Sequence, residues 1–342
     1  MMQPITSLKW LSAFATVGLF FAPLADGQTS STSQPAGSKQ QSTPEQLVDA
    51  LNGIFGKQKP DVRAVHAKGV DLTGVFRPSG SASSVSKAPH LQKTIVPVTV
   101  RFSNFPGVTT VPDTDGLSSP RGMSIKFRLP DGSNTDIVAH SFNGFPAPTA
   151  DEFRVFLIAL GASGPGAAKP TPLDVYLGSH PVAKTFLESQ IPPPLSYGTV
   201  SYFGVNAFKF TNAKGTVTFG RYQIRPLEGD QSLPKAEVAK ADPNYLTKEM
   251  RGRVTRGPVR FKLVLEIAEK GDKLDDPSIA WPPTRTKVEL GTIEITKAVA
   301  DNAAAEHQLL FLPGALPPGI EAADPMIKAR TEAYPVSFDR RK

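Results

Sequence analysis

Arg63-Ala64-Val65-His66-Ala67-Lys68-Gly69, with Gly74-Val75-Phe76 close behind it, holds one histidine between small and apolar residues. With no charged side chain directly beside it, His66 is expected to be neutral near pH 7, able to accept a proton and return it. A histidine in such a setting more often serves packing than chemistry, so the words around it have to decide. Downstream, Thr94 to Phe105 alternates strictly, with Val96, Val98, Val100 and Phe102 on one face and Thr99, Arg101 and Ser103 on the other. Arg101 and Ser103 therefore point the same way. In a barrel whose opposite face packs apolar, that polar face could line a cavity for a carboxylate-bearing ligand, or could simply be solvated.

Four words stand in one order along the chain: Arg63-x-x-His66-Ala67-Lys68-Gly69, Val100-Arg101-Phe102-Ser103, Ser118-Ser119-Pro120-Arg121-Gly122-Met123-Ser124-Ile125-Lys126-Phe127, and Arg330-Thr331-Glu332-Ala333-Tyr334. This series resembles the haem catalases, from about the first helix to the last. The resemblance implies that His66 stands over the haem iron, that Arg63 reaches a haem propionate, and that Tyr334 ligates the iron beside Arg330. It also places Arg101 and Ser103 on the distal strand and Phe153 against the haem. One departure is plain. Where the family carries an Asn pair that helps the distal histidine handle peroxide, this chain reads Val138-Ala139-His140-Ser141. His140 and Ser141 are thus distal-side candidates with a different hydrogen-bonding repertoire, which weakens the expectation of fast peroxide dismutation.

The chain has 342 residues, 39% of them hydrophobic, enough for one large domain or two ordinary ones. Residues 1–27 read as a secretory signal: Lys9 is followed by the mostly apolar Trp10 to Leu24, and Ala25-Asp26-Gly27 offers small residues for cleavage near Gly27/Gln28. Pro23 and the short apolar run argue against a membrane anchor, so the expectation is export to the periplasm with no integral membrane segment in the mature chain. Cysteine is absent, which excludes disulfides, thiolate ligands and thioether-linked haem. The net charge is +7, but Lys and Arg are scattered rather than interleaved with aromatics, so no nucleic-acid partner is expected. Residues 28–42, rich in Ser, Gln, Thr and Gly, read as a flexible tether.

Order is expected from Thr43-Pro44-Glu45-Gln46, a capping box with Pro at the first helical position, in a helix ending at Gly56. Gly80 to Ser86 reads as a small polar loop. Met123 to Leu129 and Asp136 to His140 read as a hairpin about Pro130-Asp131-Gly132, and Thr149 caps a helix running to Gly161. Residues 161–198 are expected to wrap the surface in short helices and loops. Val217 to Arg225, Val259 to Ala268 and Val288 to Lys297 alternate as strands, enough with the earlier pair for a closed antiparallel barrel. Asp324-Pro325 opens a last helix that Pro335 is expected to stop, and the four-residue spacing puts Arg330 and Tyr334 on one face. There a guanidinium and a ferric ion would both favour the phenolate.

The reading is an α+β domain over 43–342, an antiparallel β-barrel of the haem catalase type with surrounding helices, shorter than full-length catalases. The resemblance implies non-covalent haem b with ferric iron, and a peroxidase using peroxide and an organic electron donor with weak catalase activity. A rearranger of lipid hydroperoxides like the catalase-related allene oxide synthases remains open, as does a non-catalytic carrier of haem or an apolar ligand. The oligomeric state, a homo-oligomer included, is left open by the sequence.

Overall fold

A computed structural model describes residues 42–56 and 62–342; the expected signal and nearly all of the tether lie outside these residues. Helix α1 (Pro44–Ile54) starts as the capping box requires: Thr43 accepts from the Gln46 N–H, and the Gln46 side chain accepts from Thr43 N–H. Strand β1 (Gly69–Pro78), helix α2 (Ala82–Val85), strands β2 (Val96–Asn104), β3 (Arg121–Arg128) and β4 (Asn134–His140) follow. Helices α3 (Ala150–Gly161), α4 (Pro172–Ser179) and α5 (Pro181–Glu188) lead to β5 (Tyr202–Thr211) and β6 (Val217–Pro226). Then come α6 (Lys235–Val238), α7 (Tyr245–Arg256), β7 (Val259–Ile267), β8 (Lys287–Ala298), α8 (Asn302–Gln308), the short β9 (Ile320–Ala322) and α9 (Met326–Asp339).

The strands run β4-β3-β2-β1-β8-β7-β6-β5, all antiparallel, and the pairing His140↔Phe203 joins β4 to β5 and closes an eight-stranded barrel. β9 adds to the far end of β5. Alternation decides which face of each strand is packed: Val98, Val100 and Phe102 of β2 join Ile125 and Phe127 of β3 in one buried cluster that also holds Phe261 and Ile293. A second cluster, outside the barrel, packs Leu47 and Val48 of α1 on Ala329 and Ala333 of α9.

Two sequence expectations are corrected here, and one choice the sequence left open is decided. α9 passes through Pro335 rather than stopping there. A proline removes one backbone donor and crowds the preceding turn, but Ala329, Ala333 and Val336 pack against α1 on either side of it, and this burial holds the helix together. The segment 80–86 is not an open loop: Ala82 and Val85 are buried, and Ser86 Oγ donates to the Gly319 carbonyl at 2.8 Å. The polar face of β2 is not solvated, since Arg101 and Ser103 are both 4% exposed.

Candidate active site

His66 sits just before β1 with φ +59°, the one non-glycine residue in the left-handed region among those described. That conformation costs about 1–2 kcal/mol. It is held by backbone bonds to β2's continuation, His66 N–H to the Phe105 carbonyl at 2.7 Å and Ala67 N–H to that of Pro106 at 2.9 Å. The ring is fixed from its other side, where Nδ1 lies 3.0 Å from Ser103 Oγ. Gly122 of β3 makes room for both: a Cβ there would stand 2.6 Å from Ser103 Oγ and 2.9 Å from His66 Nδ1. Ser103 pairs with Gly122 across β2 and β3, so the barrel's register itself assembles the triplet.

The imidazole is neutral, as expected, but for a different reason. Burial pushes its pKa down to about 3, and Arg101, His140, Arg63 and Arg330 push the same way. The sequence neighbours carry no charge against the ring; the fold brings three cations near it. Such a base cannot hold a proton at pH 7, but it can take one in transit and release it at once.

His140, last residue of β4, is equally buried, with its pKa lowered to about 3 by burial and by Arg330. Its Nδ1 accepts the Phe142 N–H at 3.3 Å, which leaves Nε2 as the protonated nitrogen, and Nε2 has no partner. Ser141 turns to the opposite face, where its Oγ accepts the Arg121 N–H at 2.9 Å. It is therefore not brought to the site.

Two adjoining cavities of about 170 and 140 Å³ lie where the segment before β1 and strands β2 to β4 meet α1 and α9. Both are lined by His66 and Tyr334, with Val65, Val138, Ala139 and Ala333 between them. The larger also takes in His140, Arg330 and Phe153, whose ring lies 4.6 Å from that of Phe145. Tyr334 Oη accepts from Arg330 Nε at 3.1 Å and from its terminal nitrogen at 2.8 Å. Arg330 also donates to Asn206 Oδ1, and Asn206 Nδ2 donates to Asp324 Oδ2 at 2.7 Å. Asp324 Oδ1 in turn accepts the Met326 N–H at the start of α9. The guanidinium is thus oriented by a buried chain that begins at its own helix's first turn.

At the rim of the smaller cavity stand Arg63, Arg101 and Arg341. Glu306 of α8 joins the first two, accepting from Arg63 Nε at 2.9 Å and from Arg101 Nε at 2.6 Å. Burial raises the Glu306 pKa, but the two guanidiniums outweigh it and hold the carboxyl below its ordinary value. Arg341 donates to the Glu306 and Leu309 carbonyls. Arg341, Glu306 and Asn206 escaped the sequence reading, which took Asp324 only as the opening of the last helix; of the three, Arg341 alone had a local signal, seven residues beyond Tyr334, so two turns along one face of a helix that Pro335 was expected to end. By contrast, Lys68 and Arg121 of the sequence words face away from the cavities: Lys68 Nζ meets Asp113 Oδ1 at 3.0 Å, and the Arg121 guanidinium donates to the carbonyls of Ser118 and Asp113. They build the frame.

A family model described as Catalase matches residues 22–341. The chain belongs to the catalase family. A catalase-related peroxidase of Mycolicibacterium paratuberculosis is 36% identical over 303 residues, covering 87% of this chain and 95% of that one. One from Synechococcus elongatus is 32% identical over 305 residues, covering 87% and 88%. A catalase of Vibrio cholerae is 31% identical over 331 residues, 92% of this chain but 64% of that one. A fungal catalase structure superposes with a TM-score of 0.73 at 21% identity over 92% of this chain and 66% of the other, which supports the fold.

Catalases depend on haem, and the residues present fit it. The paired cavities are walled largely by apolar side chains, as a macrocycle needs; three guanidiniums at one rim suit two carboxylates; and a phenol oxygen accepts from a guanidinium beside the same space. His140 Nε2, orphaned and buried, is a polar atom that a bound molecule could satisfy.

Proposed function

We propose that this catalase-family oxidoreductase reduces hydrogen peroxide or organic hydroperoxides with an organic electron donor, using haem b held without covalent bonds. The observation that carries the reading is that one cavity system is lined at once by a neutral, oriented imidazole and by a guanidinium-paired phenol, His66 and Tyr334. When bound, the haem supplies a redox-active iron that takes up and returns the electrons of O–O cleavage. Tyr334 would hold the iron through its phenol oxygen, with Arg330 offsetting the charge of that oxygen. Arg63, Arg101 and Arg341 receive the propionates, while Val65 and Phe153 pack on the macrocycle.

The neutral His66 Nε2 takes the proton from one peroxide oxygen and delivers it to the other, so that water rather than hydroxide leaves. For that, Nε2 must present a lone pair, so Nδ1–H donates to Ser103 Oγ and Ser103 selects the tautomer. His140 offers its Nε2–H to the same space, a donor but not an acceptor, where the family's amide offers both. Holding a second peroxide for oxidation is the task that suffers from this change, whereas an organic donor can return electrons at the open, apolar edge of the larger cavity. The relatives at 36% and 32% identity, matched over most of their length, are catalase-related peroxidases, which supports peroxidase chemistry here. We also assign residues 1–27 to export into the periplasm, on their composition alone. Turnover of a phenolic donor should exceed oxygen release at matched peroxide concentration. Oxygen release near the diffusional ceiling of about 10⁸ M⁻¹s⁻¹ would instead make the protein an efficient catalase.

A further inference from the structure

Asp71 is 0% exposed, its Cα partner across β1 and β2 is Arg101, and neither of its carboxyl oxygens makes a hydrogen bond. The nearest cation, Arg101 Nε, is 4.0 Å away, because Arg101 spends its Nε on Glu306 and a terminal nitrogen on the His66 carbonyl. A carboxylate buried without donors is strongly disfavoured and is relieved by taking a proton. The charged groups that act on it most strongly belong to one cluster: Glu306 from α8, Arg101 from β2, Arg63 from the segment before β1, and Arg341 just past the end of α9. Burial and Glu306 raise its pKa to about 7 against the pull of the three arginines.

The charges of this cluster can be counted. Three guanidiniums and ionised Glu306 leave a surplus of two positive charges if Asp71 is neutral, and of one if it is ionised. A ligand bringing two carboxylates to the rim is neutralised only in the first state. We propose that Asp71 is a proton-linked counter-charge of the Arg63–Arg101–Arg341 cluster, taking up one proton from solvent when a dicarboxylate ligand enters the cavity and releasing it when the ligand leaves. The inference rests on the reading of this rim as the haem propionate site. It makes haem retention pH-dependent through a residue that touches neither iron nor peroxide. Binding adds negative charge beside Asp71 and so raises its pKa further; uptake of the ligand is then favoured at low pH and weakened as pH rises through the ligand-free value.

The test is a titration of apo-protein with ferric haem, followed by Soret absorbance, between about pH 6 and about pH 9. Asp71→Asn mimics the neutral acid, and dividing the wild-type association constant by the variant's at each pH cancels the titrations of haem itself. The ratio should be level below about pH 7 and fall by up to about tenfold per pH unit above it. Asp71→Ala, which removes the carboxyl without placing an amide in the strand, should give the same curve if Asn perturbs folding. Without any haem, the infrared carboxylic-acid stretch of apo-protein should include a band present at about pH 6, lost by about pH 9 and missing from Asp71→Asn. A ratio that does not change with pH, or the absence of that band, overturns the role of Asp71 while leaving haem binding intact. Failure of wild type and variants to take up haem at any pH removes the cofactor reading, and this inference with it.

Discussion

His90 is fully buried and His66 largely so, and burial pushes the pKa of each down to about 3. His90 lies inside the barrel between Phe76 and Phe127, with ring centroids at 6.3 and 5.0 Å, and its Nδ1 has no partner. His66 lies at the barrel's end with a left-handed backbone, a hydroxyl on Nδ1 and an opening to two cavities. A depressed pKa therefore does not mark the catalyst. What separates the two rings is access, an oriented tautomer and a left-handed backbone.

The contrast breaks first at activity. His66→Ala should keep its haem spectrum and lose peroxide turnover by about two to four orders of magnitude, whereas His90→Phe should lose none. Equal losses in steady-state assays of the two variants would erase the distinction.

Acid stability is where the two should behave alike. An unfolded imidazole takes up its proton below about pH 6.5, while the folded rings resist until about 3, so stability is complete above 6.5 and is lost progressively as pH falls toward 3. At pH 5 each buried histidine should cost about 2 kcal/mol. Urea unfolding at pH 7 and pH 5 checks this: His90→Phe should shrink the difference between the two pH values by about that amount, and an unchanged difference would mean the ring is hydrated or paired in solution.

Ser103→Ala sharpens the comparison further by making His66 resemble His90, with nothing on Nδ1. Loss of one hydrogen bond worth about 1 kcal/mol should lower turnover about fivefold without loss of haem. If turnover is unchanged, the hydroxyl does not select the tautomer. Smallest of all, His140→Asn should move the ratio of oxygen release to donor oxidation upward by a few-fold, since an amide both donates and accepts; oxygen-electrode and donor assays run together would expose a ratio that stays put.

Much of this was legible in local pattern. Strand alternation located β2, β3, β4, β6, β7 and β8 to within a residue or two, because each buries one face on a common core. β1 and β5 were missed: Gly74 and Gly204 interrupt their alternation, and β5 shifts register between Gly204 and Phe208. Helix α7 was missed because its buried residues, Leu246, Met250 and Val254, are thinly spread among charges. At the site, His66, Arg101, Ser103 and Tyr334 stood in recognisable words. Glu306, Asn206, Asp324 and Asp71 did not, for their meaning comes from partners far along the chain: Arg63 meets Glu306 across 243 residues, and Asn206 meets Asp324 across 118. Ser141 misled because β4 ends at His140: His140 lines the larger cavity, whereas the Ser141 hydroxyl turns to the Arg121 N–H.

The ferric absorption spectrum of Tyr334→Phe, set beside that of wild type, bears most directly on the central claim. Wild-type protein should carry one haem per chain with a tyrosinate-type ferric spectrum, and the variant should either fail to retain haem or show a changed spectrum, because the Arg330-paired phenol is gone. A Tyr334→Phe protein carrying haem with the wild-type spectrum would contradict that claim and require another axial ligand.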